Sequence, residues 1–134
     1  MEYARVQGLK AAQAVGYGEE MLGYIRDERT CWDGIIQKGL SIDRHKAIEA
    51  LAILAKDEDV DVRRGVAWNR NTPAETLTLL AKDEDVDVRY RVAMNPNTHT
   101  KTLILLAKDE HWYVRYGVAR HPNTPDEVKK SIKL

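Results

Sequence analysis

The chain predicts an all-α fold, a solenoid of short stacked helices, and three observations predict it. A block of 26 residues runs through the sequence almost three times: Leu54–Arg63 recurs letter for letter as Leu80–Arg89 and returns altered as Leu106–Arg115. Each block carries two apolar stripes at helical spacing. Each is punctuated by Asn, Pro and Thr where one helix must end and the next begin. A fixed period in this range marks units that bury their apolar faces only against neighbouring copies.

The elements can be placed in order. Residues 1–44 show no repeat; Tyr3, Val6 and Ala14, then Met21, Leu22 and Ile25, then Cys31, Trp32, Ile35 and Ile36 suggest helices, with Thr30 and Asp33 as a possible cap pair. Their expected role is an N-terminal cap over the first repeat. Residues 45–134 hold three repeats and a partial fourth that closes the stack, in one continuous domain.

Within a repeat, helix A starts at Thr72-Pro73-Ala74-Glu75. Thr72 reads as an N-cap, Pro73 suits the first turn, and Glu75 completes a capping box. Leu77, Leu80 and Ala81 are spaced i, i+3, i+4 and form a core stripe; Leu51, Leu54, Ala55 and Leu103, Leu106, Ala107 repeat it. Helix B is shorter. Asp59 or Asp61 caps it, Val62, Val66 and Ala67 face the core, and Asn and Pro end it. Val88, Val92, Ala93 and Val114, Val118, Ala119 are the equivalents. So short a helix depends on packing and is expected to be partly 3₁₀. The last unit restarts at Thr124-Pro125-Asp126-Glu127, with Lys129 where a core leucine stood, as suits a polar end.

The order Leu-Ala-x-Asp, Val-Arg, Val-Ala, Asn-Pro-Asn-Thr across residues 79–103 resembles the leucine-rich repeat variant family, and more distantly HEAT-type repeats. The resemblance spans about residues 48–128. It implies a right-handed superhelix of alternating α and 3₁₀ helices. Some family members carry an N-terminal iron–sulfur domain; the single Cys31 cannot supply such a cluster.

Composition narrows the function. Lys plus Arg and Asp plus Glu number 21 each, so no net charge draws the chain toward nucleic acid or anionic membrane. One cysteine argues against a disulfide-stapled secreted scaffold. No signal segment and no membrane-length apolar run is visible, which makes the cytoplasm the expected location.

Sites of chemistry are few. Asp57, Asp59 and Asp61, like Asp83, Asp85 and Asp87, open like a calcium loop. The glycine and glutamate such a loop needs are replaced by Val62 and Trp68, and by Val88 and Met94, so these read as helix caps. His45, His99, His111 and His121 lack metal spacing, and no nucleophile–base pair or phosphate loop appears. Neither catalysis, metal nor cofactor is expected.

Two rows remain. Arg63, Arg89 and Arg115 form a structural ladder toward aspartates or open helix-end carbonyls. The other row is the variable face of helix B: Arg64 and Trp68, Tyr90 and Met94, Tyr116 and Arg120, a composition that suits an interface core and equally suits side chains packed on the neighbouring repeat. In the third repeat, His111-Trp112-Tyr113 replaces Asp-Val-Asp; Trp112 is expected to fill the valine slot as core, the alternative being a binding edge. The sequence therefore reads as a non-enzymatic scaffold for an unknown protein partner. The rivals are nucleic-acid binding through Arg63, Arg64, Arg89, Arg91 and Arg115, and homo-oligomerisation of a structural protein.

Overall fold

A computed structural model describes residues 44–134, with side-chain surroundings from Ile48 onward. The cap expected over residues 1–44, with Cys31, therefore lies outside the described residues apart from Arg44. Seven helices and no strand occur among the described residues: α1 Arg44–Leu54, α2 Val60–Trp68, α3 Ala74–Leu80, α4 Val86–Met94, α5 Thr100–Leu106, α6 Trp112–Arg120 and α7 Asp126–Ser131. Helix A of the repeats corresponds to α1, α3, α5 and α7, and helix B to α2, α4 and α6.

Helix B runs nine residues as α-helix, against the expectation of a partly 3₁₀ segment. Bonds of i→i−3 type mark helix ends and the turns beyond them, as from the Asn95 N–H to the Val92 carbonyl at 3.1 Å. Tertiary packing explains the extra length: Val62, Val66 and Ala67 of α2, and Val88, Val92 and Ala93 of α4, are all buried. Leu51, Leu54, Leu77, Leu80, Leu103 and Leu106 from the helix A series close the core from the other side. Ala107, in the third repeat, is only partly buried against that core.

Asp59 caps α2 by accepting from the Asp61 N–H at 2.7 Å, and Asp85 caps α4 by accepting from the Val88 N–H at 3.0 Å. His111 takes the equivalent place for α6, its Nδ1 accepting from the Tyr113 N–H at 3.2 Å. The aspartates two residues earlier fold the turn itself: Asp57, Asp83 and Asp109 each accept the main-chain N–H of the capping residue at 2.8–2.9 Å.

Helix A departs from its sequence signature. The residue at its N-cap is Pro73, His99 or Pro125, and no side chain caps it. Thr72 is not a cap. It is buried, and its Oγ1 donates back to the Val66 carbonyl at 2.6 Å; Thr98 does the same to Val92 at 2.6 Å, and Thr124 to Val118 at 2.7 Å. The physical reason lies at the end of helix B. The carbonyls of Val66, Val92 and Val118 lack a full i→i−4 partner and accept only the N–H three residues on, so a second, buried donor there is worth more than a cap at an exposed helix start.

A buried polar line joins successive turns. Asn95 Nδ2 donates to the Ala67 and Asn69 carbonyls at 2.8 and 2.9 Å. His121 stands where the earlier repeats have Asn69 and Asn95. Its Nδ1 accepts from the Asn123 N–H at 3.0 Å, so Nε2 carries the hydrogen and donates to the Asn95 carbonyl at 2.8 Å. The turn of each repeat is thus tied to the one before.

Replacing Thr98 by Val keeps the shape and removes the bond to Val92. It is expected to cost about 1 kcal/mol in urea unfolding. Glu75→Ala, which would disrupt a capping box, is expected to change stability by less than about 0.5 kcal/mol. The reverse ranking would restore Thr72 and its equivalents as caps.

Candidate interaction surface on the second helices

Helices α2, α4 and α6 lie side by side, and α4 against α6 is the most extensive helix contact among the described residues. Positions four apart on each helix, off its core stripe, therefore line up from repeat to repeat. These are the positions held by the aromatic, methionine and arginine side chains singled out above.

Beside this row runs the arginine ladder. Arg63 Nε donates to Asp83 of the next repeat at 2.8 Å, and its Nη1 donates to the carbonyls of Asp57 and Glu58 in its own loop. Arg89 repeats the pattern with Asp109 at 2.8 Å and with the carbonyls of Asp83 and Glu84. Arg115 keeps the carbonyl of its own loop, Asp109, at 2.7 Å, and its Nε donates to the Lys133 carbonyl. Both guanidiniums of the first two rungs are mostly buried. The Asp83 hydrogen bond, opposed by partial burial, holds the Arg63 guanidinium above its ordinary value.

The two junctions between repeats use different chemistry at matching positions. At the first, Arg64 forms a two-point bond to Asp85 at 3.1 Å and approaches Asp87 at 3.3 Å and Asp61 at 3.1 Å. Its bond to Asp85 holds that carboxyl below the usual carboxylate range, with help from the N–H groups of α4. One repeat on, Tyr90 stands for Arg64 and Tyr113 for Asp87. Their rings stack at 3.9 Å between centroids and 14° between planes. Desolvation first, then Tyr113, raises the Tyr90 hydroxyl above its ordinary value.

Position 91 follows the same exchange. At the second junction its equivalent is Gly117, where a Cβ would come within 3.1 Å of Ala93 Cβ and 3.2 Å of the Tyr90 ring. At the first junction no tyrosine fills that space. Arg91 occupies it, bonding Asp87 at 3.1 Å and lying 5.6 Å from the centre of the Trp68 ring. The loss of two aspartates at His111-Trp112-Tyr113 thus has a local cause: with Tyr90 opposite, carboxylates there would face no guanidinium.

The variable row therefore divides. Trp68 is 49% exposed, Tyr116 and Arg120 are exposed, and Met94 and Arg64 are half-buried. Arg120 lies 5.6 Å over the Tyr116 ring and donates to its hydroxyl at 3.2 Å. Tyr90, by contrast, is a packing residue. It sits against the core beneath Tyr113 and above Gly117, not free as an anchor.

Trp112 is corrected in the opposite sense: it is 56% exposed. The slot it inherits is shallow, since Val60 and Val86 are only partly buried there. An indole exceeds that slot and turns outward, edge-on to Tyr113 at 5.5 Å.

Sequence reading passed over two sets of residues here. Arg91 as the cover of Trp68 needed the junction geometry. Ile53, Leu79 and Leu105, exposed on the first helices, were signalled by the doublets they form with Leu54, Leu80 and Leu106. Adjacent helical residues point about 100° apart and cannot share one core face. Among the described residues no helix is long and apolar enough to cross a membrane, and no group of three His, Cys, Asp or Glu converges on a metal position.

Two predictions follow from the junctions. Tyr90→Arg and Tyr113→Asp should each destabilise by about 1–2 kcal/mol, and the double variant should recover about 1 kcal/mol of their sum by recreating the ion pair. Additivity within about 0.3 kcal/mol would contradict the exchange. Because the folded Asp85 carboxyl is held low, its contribution is present above its unfolded pKa of about 3.9 and is lost as pH falls through the folded value. Asp85→Asn should therefore be less stable than wild type at neutral pH, with the gap closing in acid. A gap unchanged down to pH of about 2 would rule the linkage out.

Comparison of the chain with protein families, with curated proteins and with solved structures finds no significant match in any of the three.

Proposed function

We propose that the chain is a non-enzymatic α-solenoid of the leucine-rich repeat variant kind, and that it binds a protein partner across α2, α4 and α6. One observation carries the reading. Trp68 is a half-exposed indole held under a guanidinium that is itself fixed by Asp87. Tryptophan and arginine are the residues most enriched at the energetic centres of interfaces, and a pre-set side chain loses little freedom on binding. Met94 and the Tyr116–Arg120 pair extend the same row.

The stacked arrangement is supported by packing. Second helices touch one another more closely than first helices do, so a stack of such units curves with the second helices inside. The right-handed sense belongs to this proposal through the resemblance alone.

The rival reading, phosphate contact through the arginines, has four of its five cations neutralised. Arg63, Arg64, Arg89 and Arg91 are all bonded to aspartates of the same chain, while Arg115 donates to the carbonyls of Asp109 and Lys133. Weak or absent binding to oligonucleotides at low salt is the consequence.

Affinity capture from the source proteome with wild type and with Trp68→Ala tests the proposal. The substitution should leave the melting temperature within about 2 °C, since the side chain is half-exposed, and reduce retention of a specific partner at least about tenfold. Equal retention by both proteins would remove Trp68 from the interface.

A further inference from the structure

Both ends of α6 are held by a histidine. His111 Nδ1 accepts from the Tyr113 N–H at 3.2 Å, and His121 Nδ1 accepts from the Asn123 N–H at 3.0 Å. The earlier repeats make the matching bonds with other groups. At the start of the second helix, Asp59 and Asp85 supply carboxylate oxygens. At its end, the amide oxygens of Asn69 and Asn95 accept from the N–H groups of Asn71 and Asn97 at 2.8 and 2.9 Å. Neither aspartate nor asparagine ordinarily gains a proton between about pH 5 and 8, whereas imidazole does.

An imidazole accepts at Nδ1 only while that nitrogen is bare. A proton there sets two donors against each other, and it does so at both ends of α6. At His111 the added charge also opposes the positive end of the helix. At His121 the helix end favours a cation. That ring, however, is 2% exposed, and its Nε2 is already committed to the Asn95 carbonyl at 2.8 Å. Burying a charge without a counter-ion outweighs a helix end.

The neighbouring charges supply no counter-ion. Around His111, α4 brings Arg89 and Tyr90 and the turn brings Asp109 and Glu110; Asp109 is bonded to Arg89 at 2.8 Å, and Glu110 is exposed. Around His121, the last turn of α4 brings Arg91, which is bonded to Asp87, and α6 brings Arg120, which lies over Tyr116. The turn after α4 and the start of α5 bring His99 and Lys101, both exposed. On α7, Asp126, Glu127 and Lys130 are exposed and Lys129 is half-buried. Among the described residues neither imidazole is in an ion pair with a carboxylate.

We propose that the third repeat is an acid-release joint: proton uptake by His111 and His121 frees both ends of α6 and lifts it from α4, while α2 stays closed. Tyr113 then leaves the Tyr90 ring, and Tyr116 and Arg120 lose their fixed place. The joint is whole above about pH 6.5, the ordinary imidazole value, and loosens as the pH falls below it. One histidine closed to protons in the packed joint favours the open form about tenfold at one pH unit below that value. The device belongs to the fold and stands whether or not the Trp68 row binds a partner.

The test is hydrogen exchange of the full chain at about pH 7.5 and about pH 5.5, corrected for intrinsic rates, in wild type and in the double variant His111→Asn, His121→Asn. The variant installs at 121 the residue of the earlier repeats and keeps an N-capping side chain at 111. In wild type, the protection of α6 relative to α2 should fall at least about tenfold at the lower pH; in the variant it should fall at most about threefold. His45 and His99 remain in both proteins, and carboxylates ordinarily titrate near about 4, below this window. An equal fall in both proteins, no fall in wild type, or an equal loss across α2 and α6 would overturn the proposal. If the variant is unprotected already at the higher pH, nitrogen NMR of His121 in wild type decides. A bare Nδ1 wherever α6 is protected supports the proposal; a proton on Nδ1 with α6 still protected overturns it.

Discussion

No helix here is long enough to stand alone. Described helices run from six to eleven residues, below the length at which an isolated helix persists in water. What holds them is the junction between repeats, and the Arg–Asp contact is its central member. Asp83 accepts the Asp85 N–H within its own turn while receiving Arg63 from the repeat before. Arg63 in turn binds the carbonyls of its own loop. A single carboxylate thus shapes the cap of one repeat and fastens the previous one. The arrangement offsets the cost of placing these charges in a mostly buried site, because Arg63 and Asp83 each bond more than one partner.

The apolar part of this organisation was legible from the sequence. Leu77, Leu80, Val88 and Val92 are buried as their periodicity requires, since a stripe at i, i+3, i+4 has only one face to hide. Thr72 was misread because a Thr-Pro-x-Glu string is a local signature, whereas its hydroxyl serves a carbonyl six residues earlier across a turn. Trp112 was misread for a related reason: its apolar slot is real, but its depth is a property of the packed neighbours. Tyr90 looked like an anchor by composition. Its burial depends on Tyr113 and Gly117, residues 23 and 27 positions away, which matter only once neighbouring second helices are known to touch.

The same comparison changes how variation between the copies is understood. Arg64, Asp87 and Arg91 in one junction correspond to Tyr90, Tyr113 and Gly117 in the next. Charge, size and backbone approach change together, and each set is self-consistent. Differences between near-identical repeats are therefore not all marks of a binding site; some are matched halves of a different joint. Trp68 and Tyr116, and Ile53, Leu79 and Leu105 on the first helices, are the large side chains whose exposure neither joint explains.

Among the described residues the bonds that tie one repeat to the next join positions close in sequence, Asn95 reaching 28 residues back to Ala67 and Arg63 reaching 20 forward to Asp83. Bonds of this length close short loops at little cost in entropy, so ordering can spread from one repeat to its neighbour. The opposite process is equally local. Among the described helices α4 is fastened on both sides, to α2 and to α6, so freeing it means breaking two joints where a helix with one neighbour of its kind breaks one.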